Sequence, residues 1–196
     1  DAWLNILGRL MYIKHESSTD PLSGKTSKSA TLRFPRFHQW EAVTELTAAV
    51  TTEGVGKRYL IQHSAGSGKT DSIAWTAHRM ARLQVDDQKV FDSVIVVTDR
   101  NVLDAQLQDA IKQIDNDQGI VVAIDRDEAA KAGASKSGLL AKALTDGKLI
   151  IVVTIQTFPF AMQAIRENKG LKGKKFAVVA DEAHSSQSGQ VAGTLK

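Results

Sequence analysis

Residues 59–70 read Tyr59-Leu60-Ile61-Gln62-His63-Ser64-Ala65-Gly66-Ser67-Gly68-Lys69-Thr70. An apolar run suited to a buried strand passes into a turn of small residues, and helical spacing begins at Lys69. Strand, glycine-rich turn and helix, in that order, are what a phosphate-binding loop needs. Gly66 and Gly68 permit positive φ and let backbone N–H groups approach phosphate oxygens. The helix behind them adds the partial positive charge of its N-terminus. Lys69 is placed to reach β- and γ-phosphates, and the Thr70 hydroxyl to ligate Mg²⁺. The strict pattern G-x-x-x-x-G-K-[ST] has glycine where this chain has His63. A plain strand-to-helix turn is the alternative reading, and the flanking elements weigh against it.

Outward from this loop the chain alternates. Apolar runs at Arg58–Gln62, Ser93–Val97, Ile120–Ile124, Leu149–Val153 and Phe176–Ala180 predict strands, and helical spacing at 38–50, 69–84, 101–114, 136–145 and 156–167 separates them. Strands divided by helices predict an α/β fold of three layers around a mostly parallel sheet. Before residue 32 the texture differs. Residues 1–14 show apolar spacing of a short helix, and residues 15–31, rich in Ser, Thr, Lys and Gly, read as a linker. Trp3, Trp40 and Trp75 fall in helical segments and are expected in the core.

The last predicted strand ends in Asp181-Glu182-Ala183-His184. Parallel strands deliver ligand-binding groups at their carboxyl ends, so Asp181 and Glu182 are expected beside the first loop. Asp181 then holds Mg²⁺, and Glu182 polarises the water that attacks the γ-phosphate. Taken alone, an Asp-Glu pair after a strand is a solvated cap on the next helix. The phosphate loop, whose Thr70 lies 111 residues earlier, favours the catalytic reading.

Composition sets the outer limits. The chain has 196 residues with 25 basic and 22 acidic side chains, a net charge of +3. At roughly 100–200 residues per domain this is one domain with a short appendage. The absence of cysteine excludes a disulfide scaffold, a thiolate nucleophile, a zinc finger and an iron–sulfur site, and agrees with a reducing, cytoplasmic setting. No apolar run approaches the ~20 residues needed to span a bilayer, so no membrane partner is expected. The chain opens on Asp1 without a basic-then-apolar leader or an initiator Met, which reads as a piece of a longer protein.

Together, Ser64-Ala-Gly-Ser-Gly-Lys-Thr70 and the Asp-Glu-Ala-His box resemble motifs I and II of superfamily 2 helicases and translocases. With Phe34-Pro-Arg-Phe-His-Gln39 ahead of them and Asp181-Glu-Ala-His-Ser-Ser-Gln-Ser-Gly189 at the end, the resemblance narrows to the motor subunit of type I restriction enzymes. In that family histidine is the usual occupant of position 63, whereas arginine is commoner than Ser185. The resemblance implies a RecA-like domain over residues 32–196, truncated after motif II. Residues 1–31 would then be the tail of a preceding domain.

The resemblance also implies site residues. ATP and Mg²⁺ are the expected cofactors. Ala65, Gly66, Ser67, Gly68, Lys69 and Thr70 hold the phosphates, Gln39 contacts the adenine edge, and Phe37 or Arg36 packs near it, although the stretch reads equally as an ordinary helix start. Thr70 and Asp181 serve the metal, Lys69 and Glu182 the chemistry, and His184 couples the nucleotide to motion. Thr98 and Arg100 of motif Ia, with Thr154 and Thr157 of the next DNA-facing motif, touch the phosphate backbone without reading bases. Each threonine is equally open to reading as a helix cap. Lys169, Lys172, Lys174 and Lys175 form a basic loop that reads as a solvated turn.

The implied activity is ATP-driven translocation of double-stranded DNA before cleavage by a separate nuclease domain. Implied partners are duplex DNA, the specificity and methyltransferase subunits, and a second RecA-like domain of the same parent chain. Other readings stay open: a repair or remodelling helicase of the same superfamily, a nucleotide-gated switch, or a DNA-binding module without catalysis. The chain has no Asn-Lys-x-Asp guanine reader, which speaks against a GTPase switch.

Overall fold

The computed structural model describes residues 2–98, 101–114, 120–124 and 135–181. Among these, α1 (Ala2–Arg9) is followed by β1 (Tyr12–Thr19), β2 (Thr26–Arg33), α2 (Phe37–Glu53) and α3 (Lys69–Ala81). The two-residue strands β3 (Gln84–Val85) and β4 (Gln88–Lys89) form a small hairpin. Then come β5 (Ser93–Thr98), α4 (Asn101–Ile114), β6 (Val121–Ile124), α5 (Lys136–Thr145), β7 (Ile150–Thr154), α6 (Phe158–Glu167), a 3₁₀ turn (Lys169–Leu171) and β8 (Phe176–Ala180).

The main sheet runs β6-β7-β5-β8, and every pair in it is parallel. Because side chains alternate along a strand, β5 and β7 feed two cores. Val94, Val96, Ile150 and Val152 pack with Ile73, Ala77, Met80, Leu107 and Ile111 of α3 and α4. Ile95, Val97, Ile151 and Val153 pack with Leu140, Leu144, Phe158 and Ala161 of α5 and α6. Helix layers on both faces explain why β5 and β7 read as continuous apolar runs rather than alternating ones. The expected three-layer α/β architecture is present.

Three expectations are corrected. Residues 15–31 are not a linker: β1 and β2 pair antiparallel over eight residues each, from Tyr12↔Arg33 to Thr19↔Thr26. Asp20 closes the turn, its carboxylate accepting from the Leu22 N–H (2.9 Å) and the Ser23 hydroxyl (2.6 Å). Serine and threonine gave the stretch its linker texture, yet they fit a solvated two-stranded ribbon well. Arg58–Gln62 forms no strand. Its apolar side chains lie open, Leu60 at 83%, because a short apolar run favours extended backbone without supplying a neighbour to pair with. Trp3 is 69% exposed rather than in the core, and it meets Phe34 at a ring separation of 6.3 Å. Only Trp75 is fully buried, beneath Leu10, Tyr12 and Val43.

Candidate nucleotide site

The loop ahead of α3 has the backbone that its glycines allow. Gly66 and Gly68 have φ of 73° and 84°, a region that costs other residues about 1–2 kcal/mol. Gly68 also caps α3, its carbonyl accepting from Asp71 N–H (3.1 Å) and Ser72 N–H (3.3 Å). A Cβ on Gly68 would stand 2.5 Å from Gln39 Nε2. Glycine is therefore required there both for conformation and for space.

The first turn of α2 grips this loop from behind. Gln39 is buried; its Oε1 accepts from Arg36 N–H (2.8 Å), and its Nε2 donates to the carbonyls of Gly68 (2.9 Å) and Ser67 (3.3 Å). His38 Nε2 donates to the same Ser67 carbonyl at 3.0 Å, and Arg36 reaches the Gly66 carbonyl at 3.5 Å. Across a planar trans peptide the carbonyl and the next N–H point in opposite directions. Carbonyls of Ser67 and Gly68 drawn toward α2 thus turn the N–H groups of Gly68 and Lys69 the other way, as phosphate binding needs.

Opposite the loop stands the end of β8. Asp181 N–H bonds the Val97 carbonyl at 2.9 Å, which fixes Asp181 one residue past the strand. Its carboxylate lies 3.2 Å from Lys69 Nζ. Two motifs far apart in sequence thus meet in one ion pair, with the Thr70 hydroxyl on the residue next to Lys69. A hydroxyl and a carboxylate are hard oxygen donors that suit Mg²⁺, which retains waters and phosphate oxygens as its other ligands. Among the described residues no cluster of three or more His, Asp or Glu side chains is placed to hold a metal ion.

Other residues around the loop escaped the sequence reading. Asp71, next to Thr70, accepts from the Tyr12 hydroxyl at 2.9 Å. Burial and then the Asp71 charge push the Tyr12 pKa above its ordinary value, so the phenol remains a donor. Tyr12 also meets Trp75 edge-on at 6.2 Å, and β1 is held to α4 where Gln113 exchanges two hydrogen bonds with the His15 backbone. The ribbon is thereby seated against the phosphate-loop helix. His63 packs edge-on against His38 at 5.7 Å, and its Nε2 is buried without a partner. Burial, then His38 and Lys69, lowers its pKa. A cavity of about 330 Å³ lies alongside, lined by His38, His63, Glu41 and Glu45 among others. Only closeness in space to the phosphate loop and its helix marks Tyr12, Asp71, Glu41 and Glu45; His38 and His63 lie inside the quoted motifs, but the contact between their rings has no spacing signal.

The remaining expected residues are distributed unevenly. Phe37 is exposed at the head of α2, its ring 5.8 Å from Trp40. Thr98 and Thr154 are register partners on β5 and β7. Thr98, Thr154 and Thr157 are all buried, and the hydroxyls of Thr154 and Thr157 face each other at 3.0 Å. Thr157 is the N-cap residue of α6, but its side chain does not cap the helix. Arg100, Glu182 and His184 lie outside the described residues.

Comparison with known proteins agrees with this geometry. The SWI2/SNF2 ATPase family matches residues 38–196. The endonuclease subunit of the type I restriction enzyme HindI from Haemophilus influenzae is 30% identical over 177 residues, which cover 85% of this chain. The chain spans only 15% of the length of that relative. The resemblance to superfamily 2 motors, and to type I restriction subunits among them, holds on both comparisons. With its phosphate-loop lysine against Asp181 at the carboxyl end of a parallel sheet, the chain belongs to the SWI2/SNF2 ATPase family.

Proposed function

We propose that this chain is the first RecA-like motor domain of a type I restriction endonuclease subunit, hydrolysing ATP to translocate double-stranded DNA. The observation that carries the reading is the 3.2 Å approach of Lys69 to Asp181, the lysine of the phosphate loop and the first carboxylate of the second motif. Nucleotide phosphates draw Lys69 from Asp181 toward the β- and γ-oxygens, while the amides of the loop cradle them. Thr70 and the released Asp181 would hold Mg²⁺, whose charge would offset that of the phosphates. Glu182 orients a water and accepts its proton as the new oxygen–phosphorus bond forms and the bond to the β-phosphate oxygen breaks. Phe37 supplies an exposed ring for the base. Contact of Gln39 with the adenine edge would require its longer bond, to Ser67, to be exchanged.

Residues 1–31 serve in this reading as the tail of a preceding domain. A second RecA-like domain of the parent closes on the nucleotide, and His184 couples that closure to hydrolysis. Of the residues expected at the DNA, Arg100 remains as a direct phosphate contact. Thr98, Thr154 and Thr157 are buried, contrary to a direct contact, and act by shaping the ends of β5 and β7 beneath that edge. The duplex and the specificity and methyltransferase subunits are the partners, in the cytoplasm.

Displacement of a third strand from a triplex by the full-length protein tests translocation. Displacement that needs ATP hydrolysis is expected; hydrolysis without displacement would favour a nucleotide-gated switch. A repair or remodelling motor is the nearest competitor, since the family match accommodates it equally. A nuclease domain ahead of residue 1 in the parent would separate the two.

A further inference from the structure

The far end of β8 carries a feature that the nucleotide site does not use. Residues 166–175 hold five cations and one carboxylate, a net +4, against +3 for the entire chain. The excess positive charge of the protein is thus concentrated in ten residues, which lead into the amino end of β8 while Asp181 follows its carboxyl end.

This stretch is pinned rather than loose. Leu171 is buried at its centre, among the side chains packed under α5 and α6. Asn168 accepts from Gly170 N–H at 2.9 Å and donates to the Thr145 hydroxyl at 3.2 Å. Lys172 N–H bonds the Lys169 carbonyl, and Lys174 N–H the Leu171 carbonyl. Lys175 is tied twice to Asp92: its N–H donates to the carboxylate, and its carbonyl accepts from Asp92 N–H, both at 2.7 Å. Asp92 therefore spends its carboxylate on the backbone. Among the described residues, no carboxylate forms an ion pair with Lys169, Lys172, Lys174 or Lys175.

We propose that Lys169, Lys172, Lys174 and Lys175 form a nucleic-acid contact for the phosphodiester backbone of duplex DNA, at the end of the sheet remote from the nucleotide. Lysines on a fixed turn present point charges to phosphates without reading bases, and an already ordered loop loses little conformational freedom on binding. The one large apolar residue of the turn, Leu171, is buried, so residues 168–175 present no apolar anchor of the kind that a membrane or a protein hot spot needs. The proposal is independent of the nucleotide site and stands or falls apart from it.

Fluorescence anisotropy with a 30-base-pair duplex, without nucleotide and over a range of salt, tests it on the full-length protein. The triple variant Lys172→Gln/Lys174→Gln/Lys175→Gln is expected to bind at least about tenfold more weakly at low salt. Its slope of log affinity against log salt should be shallower by about 2–3, at roughly 0.9 for each phosphate no longer neutralised. The corresponding triple Lys→Arg variant should bind as the parent does, and ATP affinity should be unchanged in both. An unaltered duplex affinity or salt slope in the glutamine variant would overturn the proposal. So would competition by polyglutamate as strong as by DNA, which would reassign the surface to an acidic protein segment.

Discussion

Lys69 and Asp181 hold each other at 3.2 Å across the gap between α3 and the end of β8. The ammonium therefore sits against the carboxylate that the proposed function assigns to the metal. On that proposal a nucleotide would separate the pair, its phosphates replacing Asp181 as the partner of Lys69.

Asp181→Asn should release Lys69 from this contact. ADP affinity without Mg²⁺ is then expected to rise, while the gain on adding Mg²⁺ disappears, because the amide is a poorer ligand. Calorimetric titration with and without Mg²⁺ measures both. Retention of the full Mg²⁺ effect would remove Asp181 from the metal site.

Gln39 is a test of how the loop is held. Gln39→Ala removes one donor from each of the carbonyls of Ser67 and Gly68, which keep His38 and the first N–H groups of α3, and takes the acceptor from the Arg36 N–H; a loss of about 1–2 kcal/mol in urea unfolding is expected. It should also weaken binding of inorganic tripolyphosphate, a ligand without a base. A residue that only reads adenine would leave tripolyphosphate affinity untouched.

Gly68→Ala should be worse than an ordinary glycine replacement. The new methyl combines a φ of 84° with a 2.5 Å approach to Gln39 Nε2. Nucleotide affinity is expected to fall even where circular dichroism shows a folded chain. The double variant Gly68→Ala/Gln39→Ala removes the clash and should recover part of the stability loss; no recovery would mean that conformation alone sets the requirement.

Tyr12→Phe probes the seat of the ribbon. It deletes a hydrogen bond to a partly exposed carboxylate, so about 1–2 kcal/mol of stability should be lost. Equal stability of the two proteins would show that packing on Trp75 and the Gln113 bonds to His15 hold the ribbon without the phenol.

The pH dependence of unfolding has a defined sign. Burial lowers the pKa of both His63 and His78, His78 despite the bond of its Nε2 to the Ile111 carbonyl at 2.7 Å. Each folded-state pKa lies below the ordinary value of 6.5, so the unfolded chain takes up protons first. The contribution of these histidines is fully present above pH 6.5 and is lost as pH falls through the folded values. Urea unfolding between about pH 8 and 5 should show uptake of up to two protons, and His78→Gln should reduce it. A flat profile would contradict the burial of both rings.

Much of this molecule was legible in its sequence. The ends of α4 and α5 fall where the periodicity places them, and β5 and β7 match their apolar runs within a residue, because two-sided burial leaves little room for polar residues; β8 matches its run too, although it is an edge strand only partly buried. Helix α3 begins at Lys69 as the glycine turn requires. What failed lacked a local signal. The ribbon β1–β2 is stabilised by cross-strand pairs and by α3 and α4, neither visible in a stretch of Ser and Thr. Arg58–Gln62 has strand composition but no pairing, and Trp3 has helical spacing on a face that nothing covers. At the site, Lys69 and Asp181 could be paired from their motifs, whereas the grip of Gln39 and His38 on the loop depends on how α2 docks.

If Lys69 and Asp181 mark an ATP-hydrolysing site completed by Glu182, ATP turnover in the full-length protein must depend on that carboxylate, which Glu182→Gln removes. Duplex-stimulated hydrolysis is predicted to fall by about 100-fold or more, with ATP binding retained at near-parental affinity. Unchanged turnover would contradict the assignment of the site.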